Sequence, residues 1–219
     1  MQQELEIQDE KLIDILKKTL DLFFEFGIRN LNMDEISHRL NISKKTLYQY
    51  VKSKEDLIRK LFQYEEEKWC HRSTINDFTG LNAIDILLKA SLMVFDEMRR
   101  FKPMLKFELK KYYEPLFNEY LAKKRNHIFQ QINFNIQQGI QEGLYRKDLN
   151  IDLVSSIYVN NLVEMHNQDH GVIENITFEQ IFQVMFENHI RAISTLEGIA
   201  YFEKKKPEIL ALTNNFNNL

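Results

Sequence analysis

One cysteine, three prolines and six glycines in 219 residues remove several classes of protein at the outset. The lone Cys70 excludes an intramolecular disulfide and suits a reducing compartment. None of the glycines belongs to a phosphate-cradling loop. No stretch approaches the roughly 18 apolar residues that a membrane-spanning helix needs, and the acidic first residues carry no apolar export segment. The expected location is the cytoplasm, with no membrane partner. The six histidines fall into no H-E-x-x-H or related spacing, and Cys70 and His71, adjacent on a helix, point about 100° apart and do not chelate together. Ser155, Ser156 and Cys70 lack a recognisable partner base. No metal, no cofactor and no catalytic residue is therefore expected.

What the chain does have is helical periodicity from end to end, without strand alternation or an internal repeat, so an all-α fold is expected. Hydrophobic residues make up 44% of it, enough to fill a small domain and a larger one. A first helix, about 9–26, carries the stripe Leu12, Ile15, Leu16, Leu20, Phe23 and Phe24 and stops at Gly27. Residues 33–54 then read as helix, tight turn and helix. Ile36, Leu40, Ile42, Leu47 and Tyr50 are spaced to bury one shared seam, and the small Ser37 falls where two such helices approach most closely. Asn32 with Glu35 forms an N-x-x-E capping box, Asn41 suits a turn position needing positive φ, and Ser43 caps the second helix. The exposed face of that second helix is polar and basic, the composition of a helix that enters the major groove.

Charge supports this assignment. The net charge is −3, yet residues 39–60 hold seven basic side chains against Glu55 and Asp56, a net +5, whereas residues 1–35 hold four basic against nine acidic, a net −5. The positive patch is confined to the expected reading surface. The DNA-contacting set is Ser43, Lys44, Lys45, Thr46, Tyr48, Gln49, Tyr50, Lys52 and Lys54, the last meeting a phosphate from the first turn of a fourth helix.

The run Lys44-Lys45-Thr46-Leu47-Tyr48-Gln49-Tyr50-Val51-Lys52-Ser53-Lys54-Glu55-Asp56-Leu57 resembles K-x-T-L-Y-x-Y-F-x-[SN]-K-E-x-L, the hallmark of the TetR/AcrR (tetracycline-repressor) transcriptional regulators, and the resemblance covers residues 11–62. Asn41 stands for the usual turn glycine, Lys45 for a frequent glycine and Val51 for the usual phenylalanine. The resemblance implies a helix-turn-helix DNA-binding domain, residues 1–53, and a helical effector-binding and dimerisation domain, residues 54–219. It also implies a homodimer on a palindromic double-stranded operator, released by a small-molecule effector. Trp69, Met93, Met98, Met104, Phe107, Tyr112, Tyr113 and Phe117 lie on the helices that surround the effector in that family; the same residues would equally make an ordinary helical core.

Further along, Asn82 with Asp85 restarts a helix after a break at 78–81, Pro103 and Pro115 each suit a first helical position, and Gly143 ends a long helix. Asn150 caps a helix to about 167, and Thr177 with Gln180 caps a final one to about 197. On these last two, Tyr158, Leu162 and Met165, and Phe182, Phe186 and Ile190, are more apolar surface than a terminal pair needs, so a partner subunit is the expected cover and burial within one chain the alternative. The rival to DNA binding is a helical ligand-binding or enzymatic protein that keeps its helix-turn-helix unused.

Overall fold

The structure is a computed structural model and describes residues 9–72, 78–100, 103–164 and 178–215. These form ten helices and no strand: α1 Glu10–Phe26, α2 Met33–Arg39, α3 Lys44–Tyr50, α4 Lys54–Arg72, α5 Ala83–Arg100, α6 Pro103–Tyr112, α7 Glu114–Gln141, α8 Ile151–Glu164, α9 Phe178–Ile193 and α10 Leu196–Asn215. Packing divides the chain at 77/78, 99/100 and 124/125, so that residues up to 77 join 100–124 in one compact unit, and 78–99 join 125–219 in a second. The division by role at 53/54 falls inside the first of these units.

In the first unit Asn32 and Ser43 cap α2 and α3 as the sequence implies, and Asp9 adds a cap to α1. Asp9 accepts from the Lys11 and Leu12 amides at 2.9 and 3.1 Å, Gly27 ends α1 at φ 79°, and Asn32 and Glu35 form a complete capping box on α2. Ile15, Leu16 and Phe23 of α1, Ile36 of α2, Leu47 of α3 and Leu57, Ile58 and Leu61 of α4 fill one core. Leu105 and Leu109 of α6 and Leu116 and Phe117 of α7 complete it.

In the second unit the start of α5 is tied to α7. The Asn135 amide donates to the Ala83 carbonyl at 2.7 Å, and Glu142 accepts from the Ala83 amide at 2.8 Å. Asn82 and Asn150 cap α5 and α8. Pro115 is the second residue of α7, one place later than expected. The Thr177 half of the expected cap on α9 lies outside the described residues.

Two expectations are corrected here. The final helix does not run unbroken to about 197. An antiparallel bridge between Tyr145 and Ser194, with the Arg146 amide donating to Ile193 and the Thr195 amide to Leu144, stops α9 at Ile193. Thr195 then caps a tenth helix by accepting from the Gly198 amide at 3.1 Å. The second correction concerns the apolar stripes of α8 and α9. Tyr158, Leu162, Phe182, Phe186 and Ile190 are buried in the core of their own chain, with Ile84, Leu87, Leu88, Ile132 and Ile136. Their periodicity reports burial correctly but does not say which chain does the burying; Met165 lies outside the described residues.

Gly139 and His189 generate predictions. A Cβ on Gly139 would stand 2.0 Å from a ring carbon of Tyr145, a fully buried side chain whose hydroxyl donates to Asn135 at 3.3 Å. Gly139→Ala is expected to cost about 1–3 kcal/mol through overpacking; denaturant unfolding at wild-type stability would contradict this. The His189 ring lies 4.1 Å from that of Tyr158, and burial lowers its pKa to about 4. The unfolded chain therefore binds the extra proton first, so stability is expected to fall as pH drops from about 6.5 toward 4. His189→Gln should flatten that fall in urea titrations taken across this range; an unchanged profile would contradict the burial argument.

Candidate nucleic-acid interface

Two helices of seven residues each make the reading head, and their crossing is set by small and left-handed residues. Ser37 is buried at the crossing, and its hydroxyl turns back to the Asp34 carbonyl at 2.9 Å. Asn41 has φ 54°, the positive φ expected of it and the only one outside glycine among the described residues. Ser43 accepts from the Thr46 amide at 2.9 Å, and its hydroxyl also meets that of Thr46 at 2.7 Å. With Leu47 buried beneath it, α3 presents Lys44, Lys45, Tyr48 and Gln49 to solvent. Val51, in place of the usual phenylalanine, is buried and keeps the core closed.

Not every residue assigned to DNA contact faces outward in the same way. Lys44 forms an ion pair with Asp34 at 2.6 Å, and that carboxylate raises its pKa; both groups are exposed, so the ammonium can leave for a phosphate at small cost. Ser43 and Thr46 are committed to the cap, and Tyr50 is half-buried against the core. Lys52 is exposed, with its backbone amide on Asp56 at 2.8 Å.

Lys54 departs from the expectation of a phosphate contact. Its ammonium turns inward and donates to the Ile28 and Leu31 carbonyls, in the loop between α1 and α2. Burial lowers its pKa, opposed by the nearby carboxylates of Glu108 and Glu35. Glu108 is a residue that sequence reasoning misses. It reaches from α6 to accept from the Ile28 amide at 2.6 Å and the Arg29 amide at 3.3 Å, eighty residues away in the chain, and nothing in the local sequence signals such a contact.

The eight residues given to an effector divide between the two units, Met93 and Met98 in the second and the other six in the first. Met104, Phe107 and Tyr112 are exposed on α6, because its buried face is the one carrying Leu105, Glu108 and Leu109. Tyr113 and Phe117 belong to the core of the first unit, and Trp69 packs on Tyr120 with ring centroids 5.0 Å apart. Met93 is half-buried on α5, and the Met98 side chain lies outside what is described.

No helix among the described residues is long and apolar enough to cross a membrane, and none of their acidic, histidine and cysteine side chains cluster as a metal site.

Residues 15–61 match the sequence profile of bacterial regulatory proteins of the tetR family. No curated protein matches the chain in sequence. Among solved structures, a transcriptional regulator from Cytophaga hutchinsonii superposes with a TM-score of 0.71 at 19% identity, covering 85% of this chain and 100% of that one. A regulator from Saccharomonospora viridis in complex with choline gives 0.59 at 16% identity, with 86% and 100% covered. AibR, in complex with isovaleryl coenzyme A and operator DNA, gives 0.55 at 16% identity, with 82% and 97% covered. At these identities the likeness is one of fold.

If α3 lies in the major groove, Gln49→Ala should relax base preference at one symmetric pair of positions at a cost of roughly 1–3 kcal/mol for a bidentate contact. Lys45→Ala should instead weaken binding to all sequences and make the salt slope shallower by about 0.9 for each phosphate it neutralises. Anisotropy titrations across salt distinguish the two; a uniform weakening for Gln49→Ala would move that side chain to backbone positioning.

Proposed function

We propose that the chain is a DNA-binding transcriptional regulator that acts as a repressor on an approximately palindromic operator, a reading supported by the match of residues 15–61 to the tetR family of bacterial regulatory proteins. The observation that carries this reading is the α3 surface, with Lys44, Lys45, Tyr48 and Gln49 exposed on a head whose other residues are locked by caps and core. A basic face supplies phosphate affinity whatever the sequence, and Gln and Tyr edges add base discrimination.

The chain works as a homodimer in this proposal. The outer face of α8 and α9 supports it: Leu153, Ile157 and Val184 stay exposed, and a groove of about 1100 Å³ runs there past Val154, Ile181 and Met185. A second copy laying the same face into it would form a four-helix bundle about a two-fold axis. Two reading heads would then address half-sites one DNA turn, about 34–36 Å, apart. A small, largely apolar effector, bound in the second unit where Met93 stands half-buried, lowers operator affinity by favouring a different spacing of the heads. Regulators of similar fold in complex with choline and with isovaleryl coenzyme A support an effector of some kind in this architecture.

Footprinting of duplexes selected from a random pool should reveal two symmetric half-sites about one turn apart. Selection of no sequence would overturn the DNA-binding reading. Val184→Asp combined with Ile157→Asp should give a folded monomer by sedimentation, because two carboxylates from each subunit would otherwise be buried at the seam. Operator affinity should fall toward that of a single head. A stable dimer of this variant would move the interface elsewhere.

A further inference from the structure

The hydrogen bonds between Glu108 and the loop before α2 tie the reading head to a helix that does not touch DNA in the proposal above. Gly27, at φ 79°, turns the chain so that the Ile28 and Arg29 amides both point at one Glu108 oxygen, the arrangement of a backbone anion nest. The nest is fitted to its occupant: a Cβ on Gly27 would stand 3.0 Å from that oxygen. On the other side of the same loop, the Ile28 and Leu31 carbonyls accept from Lys54, the first residue of α4. The loop that leads into the two short helices and the residue that leaves them are thus joined by one ammonium, and both are referred to α6 by one carboxylate. Glu108 is buried, and Leu105 and Leu109 beside it enter the shared core.

Apolar packing alone would have held α6 here. Replacing buried charged groups by apolar side chains of similar volume is often neutral or stabilising, so a buried carboxylate beside a half-buried ammonium is poorly explained as a source of stability. What they add is direction, since each hydrogen bond fixes an angle that leucine packing leaves loose.

We propose that Glu108 is a positioning residue for DNA binding: through the 27–31 loop and Lys54 it sets the orientation in which α3 meets the groove. The inference rests on the reading of α3 as the DNA-contacting helix. A displacement of α6 takes the carboxylate away from both amides, and the head loses its registration without any change at the DNA-facing side chains.

The test uses the full chain, with duplexes selected from a random pool by the wild type, and titrations at several salt concentrations. Glu108→Gln keeps the volume and removes the charge. Its operator affinity should fall roughly tenfold or more, the scale of one missing charge-assisted hydrogen bond. Affinity for unrelated duplexes and the salt slope should stay at wild-type values, because every phosphate partner is still in place. Lys54→Gln should do the same, also without changing the slope, and the double variant should lose less than the two singles combined. Melting temperatures establish that each variant is folded at the temperature of titration; if Glu108→Gln is not, Lys54→Gln carries the test. A folded variant with wild-type or increased operator affinity overturns the proposal, as does a weakening shared equally by unrelated DNA with a shallower slope. Failure of the wild type to select any sequence overturns instead the DNA-binding reading on which it rests.

Discussion

The crossing of α2 and α3 is the constraint from which the rest of the reading head follows. Helices of seven residues do not persist alone in water. They survive here because Ile36 and Leu47 bury completely in the core shared with α1 and α4, and because Ser37 lets the backbones approach. The turn that permits this needs one left-handed residue, supplied by Asn41, and a fresh cap on the far side, supplied by Ser43. Once α3 is pinned along one face, its other face is committed to solvent. The exposure of Lys45, Tyr48 and Gln49 is thus a consequence of packing on the opposite side.

A second layer of polar contacts fixes that head within the first unit. Lys54 and Glu108 together meet four backbone groups of the loop between α1 and α2, groups that no helical ladder serves. Arg39 adds a cation over the Phe26 ring at 3.8 Å, joining the end of α2 to the end of α1. The loop from 27 to 32 is therefore held from α1, α4 and α6 at once. Electrostatics of the DNA-facing surface are correspondingly leaner than the sequence charge implies, since one of its cations, Lys54, is turned inside and another, Lys44, is paired with Asp34.

Features legible in the sequence are those that depend on close neighbours along the chain. The caps at Asn32, Ser43, Ser53, Asn82 and Asn150 involve residues two or three apart, and they and the positive φ at Asn41 can be read locally. Contacts made across the fold cannot. Lys54 looks like an ordinary solvated lysine because its carbonyl partners lie more than twenty residues earlier. The stripes of α8 and α9 announce burial, but periodicity carries no label for the chain that does the burying, and Phe182, Phe186 and Ile190 serve their own core. Gly198 lies just past the expected end of the last helix; its smallness is required by the Leu144 carbonyl, 2.1 Å from where a Cβ would stand, inside the first turns of α10.

In the proposed function α3 is the element that enters DNA. The most direct measurement is the change in backbone amide resonances of the full chain as a selected duplex is added. The largest changes should cluster on residues 43–50. Shifts confined to other helices, with residues 43–50 unmoved, would contradict it.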